Sequence, residues 1–494
     1  MVVVAVLRLT YLLGPLDADE AGYLLVAQQW HAGGPNLYGH YFVDRPPLLL
    51  AIFRLAAITG IEHLPRLVAT VLSCLFVASA AWAAHELVGS RGAKWSASVA
   101  GAFVVTPLVM AQEANGEILA APFVMLGVAL TLASVRRRSF LLAAGAGVAA
   151  GAAVMTKQNF ADAVVFAAVL LVASAWQRRL PGRDALRLAA GGVLGGAGVL
   201  GAAATYVLWS GVGLGTAYRS VFGFRSTALD VIATHSLHAP MMRALELLGY
   251  GLLTGMLAIA VLLLVDACRC GFRGPPVAWA VGVTLAFESI SIAVGGSYWQ
   301  HYLLQLAPML ALAVGLWAPD SAKLRNVALF SMASALVATL YTFGTGSAFE
   351  HSGYKVGAWV GRSASIGDTA TVLYGNADVQ QATGLRSPYQ QLWSLPMRTL
   401  DPHLRGLRRL MTGPHAPTWI IDWGKLDMWH IDPRDRTRLE LATHYRPVAD
   451  LCGHVVYLRD GVRRQFAPPP HGCRERQVAS SPGGSLRRRP STLR

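Results

Sequence analysis

Long apolar runs separated by short polar connections fill most of the chain between residues 65 and 343. They fall at 65–88, 95–110, 119–135, 140–156, 160–176, 186–209, 245–266, 276–294, 303–317 and 326–343. A helix needs about 20 apolar residues to cross the hydrocarbon of a bilayer. Several of these runs are shorter, which suits tilted, re-entrant or cavity-lining helices. The opening MVVVAVLRLTYLL has no basic leader and no small-x-small cleavage site, so it reads as a first transmembrane helix. The pattern therefore predicts about eleven transmembrane helices. Residues 48–61 are too short and too interrupted, by Arg54 and Gly60, to span; they read as an amphipathic segment in the outer interface.

After residue 344 the pattern changes. Strand-like runs at 371–374, 419–422 and 455–458 alternate with helix-like stretches at 403–411 and 434–444, which predicts a small α/β domain. From residue 467 Pro, Gly, Ser and Arg dominate, the composition of a disordered basic tail. The expected fold is an α-helical polytopic membrane protein with a C-terminal extracytoplasmic α/β domain. Its parts are a transmembrane domain at 1–344 with a first outer loop at 16–64, the α/β domain at 345–466, and the tail at 467–494.

Composition agrees. Hydrophobic residues make up 54% and charged residues 14%, against about a quarter charged in soluble chains. The net charge of +15 raises nucleic acid as a partner, but the cations sit in short clusters between apolar runs and in the tail, which argues against it. Those clusters orient the chain. Arg91 and Lys94; Arg136, Arg137 and Arg138; Arg178, Arg179, Arg183 and Arg187; Arg269 and Arg273; and Lys323 and Arg325 all fall in every second connection. The intervening connections hold few: none in 111–116, Lys157 alone at the next, and none in 295–300. By the positive-inside rule the N-terminus is cytoplasmic, and the first loop and C-terminal domain lie outside a cytoplasmic membrane. Cys268 and Cys270 then lie inside, whereas Cys452 and Cys473 lie together outside and are candidates for a disulfide.

The candidate chemistry concentrates at residues 16–47, LDADEAGYLLVAQQWHAGGPNLYGHYFVDRPP. Asp17, Asp19, Glu20 and Asp44 are carboxylates beside a membrane, with Arg45 and a Pro-Pro stop next to them. Ionisable groups held there are costly and mark function. Transfer of a sugar to a hydroxyl needs a base for the acceptor proton. A phosphate leaving group departs without a general acid, so one carboxylate and nearby cations suffice, unlike the carboxylate pair of a glycosidase.

The order D-x-D-E-x-x-Y (Asp17, Asp19, Glu20, Tyr23), Gly33–Gly34, Leu37–Tyr38 and Asp44–Arg45–Pro46–Pro47 resembles the first outer loop of GT-C glycosyltransferases. The group most similar is the bacterial protein mannosyltransferase-like one that includes the lipid A aminoarabinose transferases. Leu64–Pro65–Arg66, Thr156–Lys157–Gln158 and the run from His301 to Pro308 follow in the same order, so the likeness covers roughly residues 1–345. It implies a polyprenyl-phosphate-linked sugar as donor, with Asp19 as general base. Glu20, Asp17 and Asp44 are further catalytic candidates, and Arg45, Arg66, Lys157, His301 and Tyr302 candidates for the donor phosphate. The family's pair before Pro-Pro is Glu-Lys in the aminoarabinose transferases and Asp44–Arg45 here, so charge is kept while the sugar is left open. Paired carboxylates leave room for Mg or Mn, with no ligand spacing that compels either.

Each residue also has a structural reading. Asp19 suits a helix N-cap, Arg45 a headgroup anchor, Lys157 a snorkelling chain, His301 and Tyr302 an interface belt, and Glu113 and Glu117 the walls of a short loop. The expected activity is sugar transfer to an acceptor hydroxyl at the outer membrane face, with inversion. The acceptor is a cell-wall glycan, a lipid-linked glycan or a secreted protein. The alternative is a transporter or flippase of lipid-linked sugars, which wants mid-membrane charges and repeated halves; no internal repeat is visible.

Overall fold

The computed structural model describes residues 1–30, 36–235, 238–269, 274–346, 352–424, 431–432 and 434–473. Gly33, Gly34, Cys270, Arg273 and the tail beyond residue 473 lie outside the described residues. The chain forms two units. One is Met1–His351 with Gln390–Leu400; the other is Ser352–Tyr389 with Asp401–Arg494. The boundary thus falls a few residues beyond the expected one, and an internal segment of the C-terminal sequence, Gln390–Leu400, belongs to the first unit.

The first unit is a bundle of apolar helices, that of a multi-pass membrane protein. Among the described residues, Leu64–Phe103, Gly116–Arg137, Gly182–Trp209, Pro276–Gly295 and Ala322–Gly344 are long and apolar enough to cross a membrane. His238–Leu253 and Met256–Arg269 form a sixth span only as a pair bent by 80°. This is fewer than the runs suggested. Pro47–Thr59, Phe140–Thr156, Asp162–Trp176 and Ala307–Trp317 are apolar but short. The runs at 65–88 and 95–110 fall in one helical stretch, Leu64–Phe103, which a kink at Gly89 divides into two helices; the Gly89 φ of +74° is one that only glycine adopts freely.

Pro47–Thr59 buries Leu49, Leu50, Ile52, Phe53 and Ala56, while Leu55 and Ile58 on its outward side are exposed and apolar too. It therefore lacks the polar face expected of an interfacial helix. Phe140–Thr156 packs closely on Gly182–Trp209, with Gly147 against the Gly192 carbonyl and Gly195 against the Ala144 carbonyl, where a Cβ has no room. That accounts for Gly191 and Gly195 within the small-residue run 189–204 as helix packing, whereas Gly198 and Gly201 meet no neighbour. Between these spans and the bent pair lie Leu214–Tyr218, a π-turn at Arg219–Gly223, and Phe224–His235, a stretch in which the apolar pattern marked no element.

The second unit holds a four-stranded sheet of β1 (Ala370–Leu373), β2 (Trp419–Asp422), β3 (Tyr445–Leu451) and β4 (His454–Arg459) in the order β1-β2-β4-β3. β1 and β2 are parallel and the other pairs antiparallel. Cys452 and Gly453, both at positive φ, turn the β3–β4 hairpin. Cys452 is bonded to Cys473. Trp359 Nε1 donates to the Ala467 carbonyl, and Ala467 N–H donates to Ser363 Oγ. Residues 467–473 are therefore part of the folded unit rather than the start of the tail: a disulfide and two backbone hydrogen bonds offset their low hydrophobicity.

Candidate functional site

The acidic stretch folds as a loop feeding a helix. Asp17 caps Ala18–Gln28, and its backbone N–H donates to Glu20 Oε2 at 3.1 Å. Capping therefore falls to Asp17, and Asp19 sits in the first turn with its carboxylate half-buried. Asp19 Oδ2 accepts from the Tyr23 hydroxyl at 3.2 Å, one turn on, and Oδ1 accepts from Trp393 Nε1 at 3.0 Å. Arg45 Nε donates to the Tyr23 hydroxyl at 2.9 Å, and Arg45 pairs with Asp44. The other Asp44 oxygen lies 2.9 Å from Arg225 Nη2. Burial works to raise the Asp44 pKa, but Arg225 and Arg45 outweigh it and hold the carboxyl below its ordinary value. A chain of alternating charge thus runs from Asp19 through Tyr23, Arg45 and Asp44 to Arg225.

A second cluster forms around Glu117. Lys157 Nζ pairs with Glu117 Oε1, and His301 Nε2 is 3.6 Å from the same oxygen. The Lys157 ammonium also lies 5.0 Å from the Tyr302 ring centroid. Lys157, His301 and Tyr302, expected to act together, are brought together, around a glutamate assigned from sequence to structure alone. A cavity of about 400 Å³ opens here. Lys157, Arg225 and Tyr302 line it together with Ile232, Phe287 and Ile290, so cations and an apolar wall face one space.

Glu20 and Arg66 sit elsewhere in the unit. Arg66 Nε and Nη2 grip the two Glu20 oxygens, Nη1 donates to the carbonyls of Tyr11 and Gly14 at 2.8 Å, and Nη2 also donates to Pro15 O at 2.7 Å. Ala114 N–H adds a bond to Glu20 Oε1 at 2.7 Å. All five guanidinium N–H groups are engaged, so Arg66 has no donor left for a phosphate. The pair ties three segments of the first unit together.

Glu113 is buried beside Asp17. Burial, and then the negative charge of Asp17, push its pKa well above the ordinary value, and the two carboxyl groups share a hydrogen bond. A raised folded-state value gives a stability contribution that is full below the unfolded pKa and lost as pH rises. Glu113→Gln keeps a donor and removes the titration. The variant is expected to melt above wild type by a margin that widens from about pH 5 to about pH 8 in thermal scans; a constant or shrinking margin contradicts the assignment.

Among the described residues no group of three or more His, Cys, Asp or Glu side chains is placed to hold a metal ion. Asp44 lies between two guanidiniums and Asp19 between two donors, so these carboxylates do not fit a divalent ion as they stand. Arg225 and Trp393 were missed from sequence. Each is a lone residue in an unpatterned stretch, and no local signal marks either.

No protein-family model matches the chain, and no curated protein matches it in sequence. Solved structures do match in fold. ArnT from Cupriavidus metallidurans bound to undecaprenyl phosphate superposes with a TM-score of 0.64 at 15% identity, over 92% of this chain and 96% of that one. The same protein in the apo state gives 0.60 at 16% identity over the same shares. The chain thus has a GT-C-like fold: a helical membrane unit followed by a small C-terminal sheet domain.

Proposed function

We propose that the protein transfers a sugar from a polyprenyl-phosphate-linked donor to an acceptor hydroxyl at the outer face of the cytoplasmic membrane. The observation that carries this is the cavity of about 400 Å³, whose wall combines Lys157 and Arg225 with apolar side chains. A lipid-linked phosphate needs both, cations for its head and hydrocarbon contact for its chain. The fold shared with ArnT, whose structure holds undecaprenyl phosphate, supports the same donor class.

The chemistry follows from the two clusters. Asp19 takes the proton of the acceptor hydroxyl as its oxygen attacks the anomeric carbon. The bond from that carbon to the phosphate oxygen breaks on the opposite face, so the configuration inverts. The electron pair stays on the departing polyprenyl phosphate, whose charge Arg225, Lys157 and Arg45 stabilise and the Tyr302 hydroxyl contacts. Asp44 holds Arg45 and Arg225 apart at a set spacing, and Glu117 does the same for Lys157. We assign Glu20, Arg66 and Asp17 to the scaffold of the loop.

The test is sugar transfer by purified protein in nanodiscs, with a membrane lipid extract as donor source and then defined polyprenyl-phosphate sugars. Transfer is expected, inhibited competitively by undecaprenyl phosphate alone. Arg225→Gln, at a side chain 30% exposed, is expected to raise the donor KM by roughly 10- to 100-fold, the worth of a charged hydrogen bond. Movement of labelled lipid across the bilayer with no transfer from any donor would sink the reading in favour of a flippase.

A further inference from the structure

Residues 390–400 lie in sequence within the second unit but belong to the first, the membrane unit. The two ends of this strap are clasped where it leaves the second unit. The Tyr389 hydroxyl donates to Asp401 Oδ2 at 2.9 Å, and the Asp401 carboxylate also accepts from the N–H groups of Gly406 and Leu407 at 2.8 and 2.9 Å. Within the membrane unit the strap has three anchors. The Gln390 carbonyl accepts from Phe42 N–H at 3.0 Å. Leu395 packs on the small core of Phe42, Phe224 and Ala228. The third anchor is Trp393, whose Nε1–H donates to Asp19 Oδ1 at 3.0 Å.

The Trp393 ring is itself held in place. It lies against Gly22, where any Cβ would overlap the ring, and its centroid is 5.6 Å from that of Tyr23. Gly22 and Tyr23 are on the same helix as Asp19, so one face of Ala18–Gln28 is shaped to seat the indole. Tyr23 holds the second Asp19 oxygen through its hydroxyl. The carboxylate is thus held in one plane by two donors from two directions, one local and one supplied by the strap.

We propose that Trp393 is a positioning residue for the reaction: its indole N–H orients the Asp19 carboxylate toward the acceptor hydroxyl, so that the 390–400 strap completes the active site within the first unit. This rests on the reading of Asp19 as base. A purely structural Trp393 packs on Gly22 and Tyr23 without affecting the turnover of folded protein.

The deciding variant is Trp393→Phe, which keeps a ring on Gly22 and removes the N–H. Transfer from a defined polyprenyl-phosphate sugar is followed in nanodiscs, alongside thermal melting. Trp393→Phe is expected to lower kcat by about tenfold and leave the donor KM unchanged. Gly22→Ala, which displaces the ring while retaining its N–H, is expected to lower kcat similarly. Unchanged kcat in Trp393→Phe, or a loss of activity that tracks lost melting temperature, overturns the proposal. Asp19→Asn run in parallel separates the two levels. An active Asp19→Asn removes the base assignment beneath the proposal, whereas an inactive Asp19→Asn with an unaffected Trp393→Phe removes the role of Trp393 alone.

Discussion

Asp19→Asn is expected to lower kcat for sugar transfer by roughly 10²- to 10⁴-fold, the range for loss of a positioned base, with melting temperature and donor KM close to wild type. The geometry explains why stability is spared. Asn keeps the shape of the side chain and still accepts from Trp393 or Tyr23 through its one carbonyl oxygen. The amide cannot take up a proton, so the acceptor hydroxyl loses only its base. Asp19 is half-buried and has no ion pair among those found in the described residues, so removing its charge strands no cation. Asp44 differs: its removal leaves Arg45 and Arg225 close together without the carboxylate between them. Equal turnover of Asp19→Asn and wild type would refute the assignment of the base.

Arg66→Met is expected to act through folding instead. It leaves Glu20, about 1% exposed, as a buried carboxylate without its cation. Breaking such a pair from one side costs about 3–5 kcal/mol, enough to deplete folded protein in the membrane. The carbonyls of Tyr11, Gly14 and Pro15 lose their donors at the same time. Replacing both partners, as Arg66→Met with Glu20→Leu, is expected to recover much of the loss, because no charge is then left unpaired. The measurements are yield of monodisperse protein, melting temperature and donor KM. A stable Arg66→Met with a raised donor KM would return Arg66 to the phosphate site and contradict the structural role.

Apolar periodicity made the membrane class legible, because hydrocarbon admits only helices and closed barrels and the runs are long and nearly free of charge. It was less reliable for where helices bend. The run at 245–266 is broken by a turn at Gly255, and nothing in its hydropathy shows an 80° bend. The C-terminal strands at 419–422 and 455–458 were visible as short apolar runs. β3, with Arg446, Pro447 and Asp450 in it, was not, since its identity comes from pairing with β4 rather than from its own residues.

The site divides in the same way. Sequence alone determined the membrane-embedded helical class and the loop carrying Asp19, Asp44 and Arg45, because cost in hydrocarbon makes charges conspicuous and the capping motif is local. It also brought out Lys157, His301 and Tyr302 at the ends of apolar runs. Tertiary structure decided the partners. Only folding brings Arg225 to Asp44 across 181 residues of sequence, and Trp393 to Asp19 across 374. Only folding joins Arg66 to Glu20 and so uses up the guanidinium donors of Arg66. Hydropathy and capping act over a few residues and leave a trace in composition. An ion pair or an indole hydrogen bond depends on where two distant side chains meet, and neither side chain shows this until the helices have packed.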